Sequence, residues 1–365
     1  MAKQLQCDVL VIGAGPAGSR AAMRVASEGL DVILVDCKTR IGERPHCGEF
    51  VPYQLFSEFA LNRNSIIHRI DNLETRIVHD KSKLEFKTNS VQSNGFLIDR
   101  PKFDRNLAVE AATSGALVMS SSRFTGFTDH ACVLKSIGDE IAVNAKYIIA
   151  ADGAHSSVRK KLSLFTEDCT VGFQIEAPIV EPSGSSAIVF LDRDFFGGYG
   201  WLFPKRATAN VGVGFLPSNG FSPAAALGDF RAMLIRLGLI KPGWIARTSG
   251  FIPGLGIRFP VIVDNILFCG DAAGLAHPIT GAGIAQAVFS GDIAGKFVAK
   301  ALKSKDSSTI NRYQDVLLER YGGAYGHALS KKKLQLELWK TGDFVELCDQ
   351  TWISFKGYKK RERNF

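Results

Sequence analysis

The sequence predicts an α/β fold: a parallel sheet with its helices, interrupted by a β-rich insertion and followed by a helical C-terminal stretch. Three observations point there. A short apolar run, Asp8 to Ile12, leads through a Gly-rich turn into a helix-like stretch, Pro16 to Glu28. The same strand, glycine turn and helix order returns in "NILFCGDAAGLAHPITGAGIAQAVFSG" from Asn265, and between the two, from Thr170 to Gly250, short β-like runs dominate.

With 365 residues, 46% of them hydrophobic, the chain buries a sizeable core and exceeds one typical domain. The opening Met-Ala-Lys-Gln-Leu-Gln lacks an apolar signal segment, and no apolar run is long enough to span a bilayer, so a cytoplasmic protein with at most peripheral membrane contact is expected. Seven cysteines, at 7, 37, 47, 132, 169, 269 and 348, are odd in number and form no C-x-x-C pair, which argues against a disulfide framework and a metal site. The net charge of +8 is spread thinly except at Lys331 to Lys333 and Lys359 to Arg363. A solvated terminus accounts for that tail more simply than an anionic partner does, and no nucleic-acid partner is expected.

The first element carries a recognisable turn. Gly13-Ala14-Gly15-Pro16-Ala17-Gly18 follows a strand and opens a helix. In such a turn the first glycine permits the tight bend, the second lets backbone approach a pyrophosphate, and the third lets helix and strand pack closely. The free N–H groups of the helix start then meet phosphate. A second apolar run, Val32 to Val35, ends in Asp36, about twenty residues on, where a ribose-binding carboxylate belongs. This is a Rossmann-type dinucleotide-binding unit.

The next segment, "CKTRIGERPHCGEFVP", reads as a loop long enough to be functional. Leu73 to Val91 suggests two strands around Lys81-Ser82-Lys83. "FLIDRPKFDRNLAVEAATSGA" reads as a strand, a turn at Pro101 and an amphipathic helix carrying Phe103, Leu107 and Ala111. Lys146 to Ala151 forms a further strand ending in Asp152-Gly153, and Ala187 to Phe190 and Ala209 to Phe215 belong to a second sheet. The expected division is therefore a discontinuous dinucleotide-binding domain (1–72, 92–168 and 251–300), a β-rich substrate domain (73–91 and 169–250) and a helical C-terminal segment (301–365).

Three separated motifs, Gly13 to Gly18, Asp152-Gly153 with Val158-Arg159, and Gly270-Asp271-Ala-Ala-Gly274, resemble the aromatic hydroxylase-type flavoprotein superfamily. Within it, Tyr199, Trp201, Phe203 and Pro204 of "GGYGWLFPK", together with Arg100, Phe103 and Asp104, are similar to the signatures of the geranylgeranyl reductase family. The resemblance covers roughly the first 300 residues and implies FAD as cofactor. It also implies that Asp271 accepts a hydrogen bond from the ribityl chain and that Asp152-Gly153 lies near the pyrophosphate. Pro278, Gly281, Ala282, Gly283 and Ile284 are expected to turn helix-start N–H groups toward the flavin edge that gains negative charge on reduction. Arg100 is expected to point its cation at the cofactor.

The same resemblance sets Cys47 close to the flavin, but the family's Cys-Gly-Gly is here Cys47-Gly48-Glu49, and a carboxylate adds bulk and charge to a lipidic pocket. Cys47, Glu49, Tyr199 and Trp201 are the catalytic candidates, with His46 a further acid–base group. Tyr199, Trp201 and Phe203 alternate along a strand and share one face, suited to a prenyl chain or an aromatic ring.

The activity the resemblance implies is reduction of carbon–carbon double bonds in prenyl groups by reduced FAD, with electrons from an external donor. Two alternatives stand beside it. One is a flavin monooxygenase hydroxylating an aromatic ring, including a tryptophan borne by a partner protein; the other is a flavin-bound redox sensor without turnover. The tryptophan-rich halogenase signature is not matched at Tyr199 to Pro204.

Overall fold

The computed structural model describes residues 3–43, 47–181, 184–217, 222–340 and 342–359. His46 and most of the basic tail after Lys359 lie outside the described residues.

In chain order, β1 (Lys3–Ile12), α1 (Pro16–Ser27) and β2 (Val32–Val35) form the first unit. β3 (Phe50–Pro52), α2 (Gln54–Glu58), β4 (Ile66–Asp80) and β5 (Glu85–Ile98) follow, then α3 (Arg100–Thr113) and β6 (Leu117–Met119). Next come β7 (Ser122–Phe127), β8 (Cys132–Ser136), β9 (Asp139–Ala150) and α4 (Ser157–Lys161). β10 (Cys169–Pro178), β11 (Ser186–Leu191), β12 (Tyr199–Pro204), β13 (Thr208–Phe215), α5 (Pro223–Arg236) and β14 (Ala246–Pro253) make up the β-rich middle. The chain continues through β15 (Ile262–Val263) and β16 (Ile266–Phe268) into α6 (Ile284–Ser304), α7 (Arg312–Leu317), α8 (Gly323–Leu338), α9 (Phe344–Thr351) and α10 (Lys356–Lys359).

Two sheets result. The first runs β15-β16-β9-β1-β2-β6, with the β7–β8 hairpin joined to β9. Its β16, β9, β1, β2 and β6 pair in parallel, and the Val9–Ile12 end of β1 and all of β2 are buried, which is why these stretches read as unbroken apolar runs. The second runs β14-β10-β13-β12-β11-β4-β5-β3 and is mostly antiparallel. One of its faces packs on α5 through Phe190, Val213 and Phe230, and the other on the C-terminal helices through Trp201, Trp352 and Phe355.

Several local expectations shift. Pro101 sits in the first turn of α3, where its missing N–H leaves no bond unmade, and the helix is capped by the Asp99 carboxylate; the expected turn is a helix start. β3 lies inside the expected loop because Phe50 to Pro52 pair with the end of β5. β4 and β5 extend well past Leu73 and Val91 on both sides. Lys331 and Lys332 are buried on α8 rather than displayed as a basic patch; the Lys332 amine donates to the Gly197 carbonyl, and burial pulls its pKa down to about 8.

Candidate cofactor and substrate site

The three sequence motifs meet. Gly13 adopts φ +102°, and a Cβ there would strike the Ala151 carbonyl at the end of β9; a Cβ at Gly18 would strike the Gly13 carbonyl. Gly15, by contrast, faces open space, with no neighbouring atom within 4 Å of the position a Cβ would take. Gly270, at φ +57°, packs against Ala17: its Cβ position lies 3.1 Å from the Ala17 methyl, so the late motif sits on the helix that Pro16 opens. The Asp36 carboxylate stands at the end of β2, accepting from the Ala14 N–H at 2.8 Å and the Lys38 N–H at 2.8 Å.

Two helix starts stand out. α1 and α6 each begin after a glycine in non-helical backbone, Gly15 and Gly283, with no side-chain cap; α3, α4, α5 and α9 are capped by Asp99, Ser156, Ser222 and Asp343, while the uncapped α2, α7 and α8 follow residues already in helical conformation. First-turn N–H groups left without side-chain acceptors are what an anionic or electron-rich ligand satisfies. The turn before α6 is built to aim them: Gly281, at φ +67°, donates to the His277 carbonyl, and the His277 N–H donates to the Ala282 carbonyl, with Pro278 inside the loop. His277 Nδ1 accepts from the Ile279 and Thr280 amides, and burial holds its pKa down at about 4, so the ring stays neutral. The Tyr199 hydroxyl, itself pushed up by burial, donates to the Thr280 carbonyl at 2.5 Å and ties the second sheet to this turn.

Two carboxylates are strained by their surroundings. Asp271 makes no side-chain hydrogen bond among the described residues; burial raises its pKa, opposed by the Arg100 and Arg258 cations. One Asp271 oxygen lies 3.2 Å from the Cβ position at Gly283, beside the start of α6. Asp152 is likewise pushed up by burial; one oxygen accepts from the Val158 N–H at 3.1 Å and the other is buried without a partner. Gly153, at φ +81°, faces open space. Open space at Gly15 and Gly153, an orphaned Asp152 oxygen and two uncapped helix starts fit a long ligand with a pyrophosphate and hydroxyl donors, as FAD has.

Arg159 shows why the middle motif carries an arginine. It is fully buried over the Phe268 ring and donates to the carbonyls of Ala272 at 2.5 Å, Arg258 at 2.6 Å and Pro260 at 3.0 Å, holding the late motif in place. Burial, with Arg258 nearby, pulls its pKa down to about 10.

Around Cys47 the loop is stitched to the second sheet. Gln174 donates to the Cys47 carbonyl at 3.1 Å and accepts from the Trp201 indole N–H at 2.9 Å. Asn210 donates to the Gly48 carbonyl at 3.2 Å and to Glu49 at 2.7 Å, and Lys205 pairs with Glu49 at 2.7 Å. Glu49, held at φ +69°, thus spends its carboxylate on the sheet. The Cys47 thiol accepts from the Glu49 N–H at 3.2 Å; burial raises its pKa against the lowering pull of Arg100. Arg100 is itself bidentate to Asp104, 3.0 Å on both sides, so its guanidinium is fixed beside Cys47 and within electrostatic reach of Asp271. Burial opposes its charge, and the paired Asp104 carboxylate supports it. A narrow cavity of about 40 Å³ lies between this loop and the sheet, lined by Cys47, Gly172, Gln174, Trp201, Thr248 and Ile252 among others.

Some of these residues escape sequence reasoning. Gln174, Lys205 and Asn210 lie more than 120 positions from the loop they hold. Arg258 stands inside a bland "GIRFP" and bonds Asp168 and the Ala154 carbonyl. Gly291 and Gly295, where α6 touches Ala17 and Ala21 of α1, were also missed; their four-residue spacing is the signal that could have found them.

Residues 6–176 match the FAD binding domain family. The chain is 31% identical to digeranylgeranylglycerophospholipid reductase 2 of Methanosphaera stadtmanae, over 96% of this chain and 95% of that protein. Among solved structures it is similar to a geranylgeranyl bacteriochlorophyll reductase-like protein from Thermoplasma acidophilum, with TM-score 0.84 and 26% identity, covering 97% of this chain and 92% of that one. The flavin-dependent brominase Bmp2, at 17% identity and TM-score 0.71 over 94% of this chain and 90% of that one, shares the fold. Uncapped glycine-led helix starts, the three converging motifs and full-length similarity to reductases lead to one conclusion: this FAD-dependent oxidoreductase belongs to the geranylgeranyl reductase family.

Proposed function

We propose that the chain reduces carbon–carbon double bonds in the prenyl chains of a glycerophospholipid, the substrate class for which its Methanosphaera relative is named. The observation that carries this reading is the 31% identity to that reductase over nearly the whole of both chains, to which the small cavity beside Cys47 adds one point. Among the described residues around it, Cys47 is the one titratable side chain, the rest being Gly, Gln, Trp, Thr, Ser and Ile. Activating a phenol for hydroxylation calls for a base there, whereas an alkene needs an apolar wall and one proton.

When bound and reduced, FAD supplies a hydride equivalent, and an external donor restores it. The chain's own residues do the rest. Gly13, Gly15, Pro16, Ala17 and Gly18 present the α1 start to the pyrophosphate, with Asp152 and Gly153 beside it and Asp36 on the ribose. Gly270 and Asp271 hold the ribityl chain, and Pro278, Gly281, Ala282, Gly283 and Ile284 aim the α6 start at the ring. Cys47 keeps its proton because burial raises its pKa, and it would give that proton to the alkene carbon that does not receive hydride, the thiolate then regaining a proton from solvent. Arg100 and Glu49 are positioning residues for Cys47, while Tyr199 and Trp201 form the wall against which the chain lies. In this scheme the first sheet and its helices form the cofactor domain, the second sheet with α5 forms the substrate domain, which through β3, β4, β5 and β14 reaches past the expected 73–91 and 169–250, and 301–365 closes the far face.

The test is anaerobic: FAD-loaded protein, dithionite and a geranylgeranylated glycerophospholipid, read by mass spectrometry. Gain of two hydrogens per double bond is expected. In a parallel aerobic arm with an aromatic acceptor added, oxygen-dependent gain of one oxygen atom on that acceptor, with no alkene consumed in the anaerobic arm, replaces the proposal with hydroxylation. No product with FAD fully bound replaces it with a sensor.

A further inference from the structure

The edge strand β14 and its flanks carry a cluster that cofactor binding does not use. Among the described residues twelve large apolar side chains are exposed, and five of them fall between positions 244 and 259: Trp244 at 55%, Ile245 at 67%, Phe251 at 50%, Leu255 at 60% and Phe259 at 53%. Such concentration on one segment marks a contact surface rather than scattered surface residues.

Charge narrows what it contacts. From Lys241 to Val263 the sequence holds no Asp or Glu, while Lys241 and Arg247 are exposed and the Arg231 guanidinium lies 5.0 Å over the Trp244 ring. Of the carboxylates on neighbouring segments, Asp168 is paired with Arg258 and Glu176 is engaged by Lys205 and Thr208, while Asp229 lies two residues before Arg231 and Asp264 just past the acid-free stretch. Glu167 stands near His155, whose ring packs on Phe251 at 4.1 Å. Aromatic side chains interleaved with basic ones suit the headgroup layer of an anionic bilayer, where rings sit at the interface and each nearby cation adds attraction.

Position relative to the site adds a reason. Thr248, Ser249, Gly250 and Ile252 of β14 line the cavity that Cys47 and Trp201 also line, while Arg247 and Phe251 of the same strand are exposed. One strand therefore separates the exposed aromatic surface from the substrate cavity. No helix among the described residues is long and apolar enough to cross a membrane. We infer that the Trp244–Phe259 segment docks the protein onto the surface of an anionic phospholipid bilayer, with β14 as the wall between lipid and cavity. This assignment does not depend on which lipid is reduced, so vesicle binding and turnover fail separately.

Trp244 supplies its own reporter, since Trp201, Trp339 and Trp352 are buried. FAD-loaded protein is mixed with vesicles of phosphatidylcholine, with or without phosphatidylglycerol, and with brominated acyl chains as quencher. The expected result is a blue shift and quenching on phosphatidylglycerol vesicles only, weakened by salt and lost in Trp244→Phe. Sedimentation affinity should fall about tenfold or more in Ile245→Ser/Phe251→Ser/Leu255→Ser, while flavin absorbance and melting temperature show that this variant is folded. Undiminished vesicle binding by the triple variant with Trp244 unquenched overturns the inference in favour of the basic tail. A dimer that dissociates in the triple variant, with no vesicle binding by the parent, overturns it in favour of a second copy paired along β14.

Discussion

Gly15 and Gly18 lie three positions apart in one motif, yet opposite outcomes are expected on adding a single methyl to each. At Gly15 the methyl enters open space, with backbone at φ −75°, so the apoprotein tolerates it. Alanine is a poorer N-cap than glycine but narrows the unfolded ensemble, and the two effects leave apo stability within about 1 kcal/mol of the parent. The same methyl fills the space reserved for the pyrophosphate and displaces at least one charge-assisted hydrogen bond, about 3 kcal/mol or a hundredfold in FAD Kd. At Gly18 the methyl meets the Gly13 backbone carbonyl, which cannot yield without moving β1 from α1. Apo stability of Gly18→Ala should drop by about 3 kcal/mol or more. Urea unfolding of the apoproteins and titration with FAD by flavin fluorescence measure both quantities. Parent-like FAD affinity in Gly15→Ala refutes the placement of the pyrophosphate, and parent-like urea stability in Gly18→Ala refutes the packing argument.

Three further outcomes are expected. Because burial raises Asp271 in the folded state, its contribution to apo stability is greatest below the ordinary carboxylate range, about pH 4, and declines as pH rises through the shifted pKa. Asp271→Asn should therefore melt higher than the parent at pH 7, with the gap closing near pH 3, while binding FAD more weakly. His277 shows the reverse sign: with its folded pKa held near 4, the parent loses stability as pH falls from about 6.5 toward 4, and His277→Gln should flatten that stretch of the melting profile. Lys205→Met leaves the Glu49 carboxylate buried with Asn210 as its main partner and should lower stability by about 3 kcal/mol, whereas Lys205→Met/Glu49→Leu should recover most of it; chemical unfolding of both variants reads the difference.

The cofactor half was legible because its glycines answer local backbone demands. Gly13 needs a positive φ, Gly18 needs a missing Cβ, and both needs are written within a few residues of the strand they follow. Asp271 was found through its motif, but its exposure to both Arg100 and Arg258 was not, since those cations approach from separate segments. Glu49 reads in sequence as a free acid in a lipidic loop, whereas its neutralising partners Lys205 and Asn210 come from β12–β13, more than 150 positions away. The C-terminal helices were expected, but their docking was not: Trp352 packs on Tyr199 at 4.9 Å and donates to the Thr75 hydroxyl at 3.2 Å, contacts that only the closed second sheet creates. Pro101 misled because the residue type serves turns and first helical turns equally, and only the Asp99 cap decides between them.

The contact between α1 and α6 has a consequence for which flavins the protein accepts. At Gly291 and Gly295 the backbones of the two helices meet with no side chain between them, and Asp292 bridges to Arg20 at 2.8 Å and Arg24 at 2.9 Å. The two glycine-led helix starts are thereby held at a fixed separation. If one takes the phosphate end of FAD and the other its ring, as proposed, neither helix can slide to suit a ligand of another length, and FMN is expected to bind more weakly than FAD.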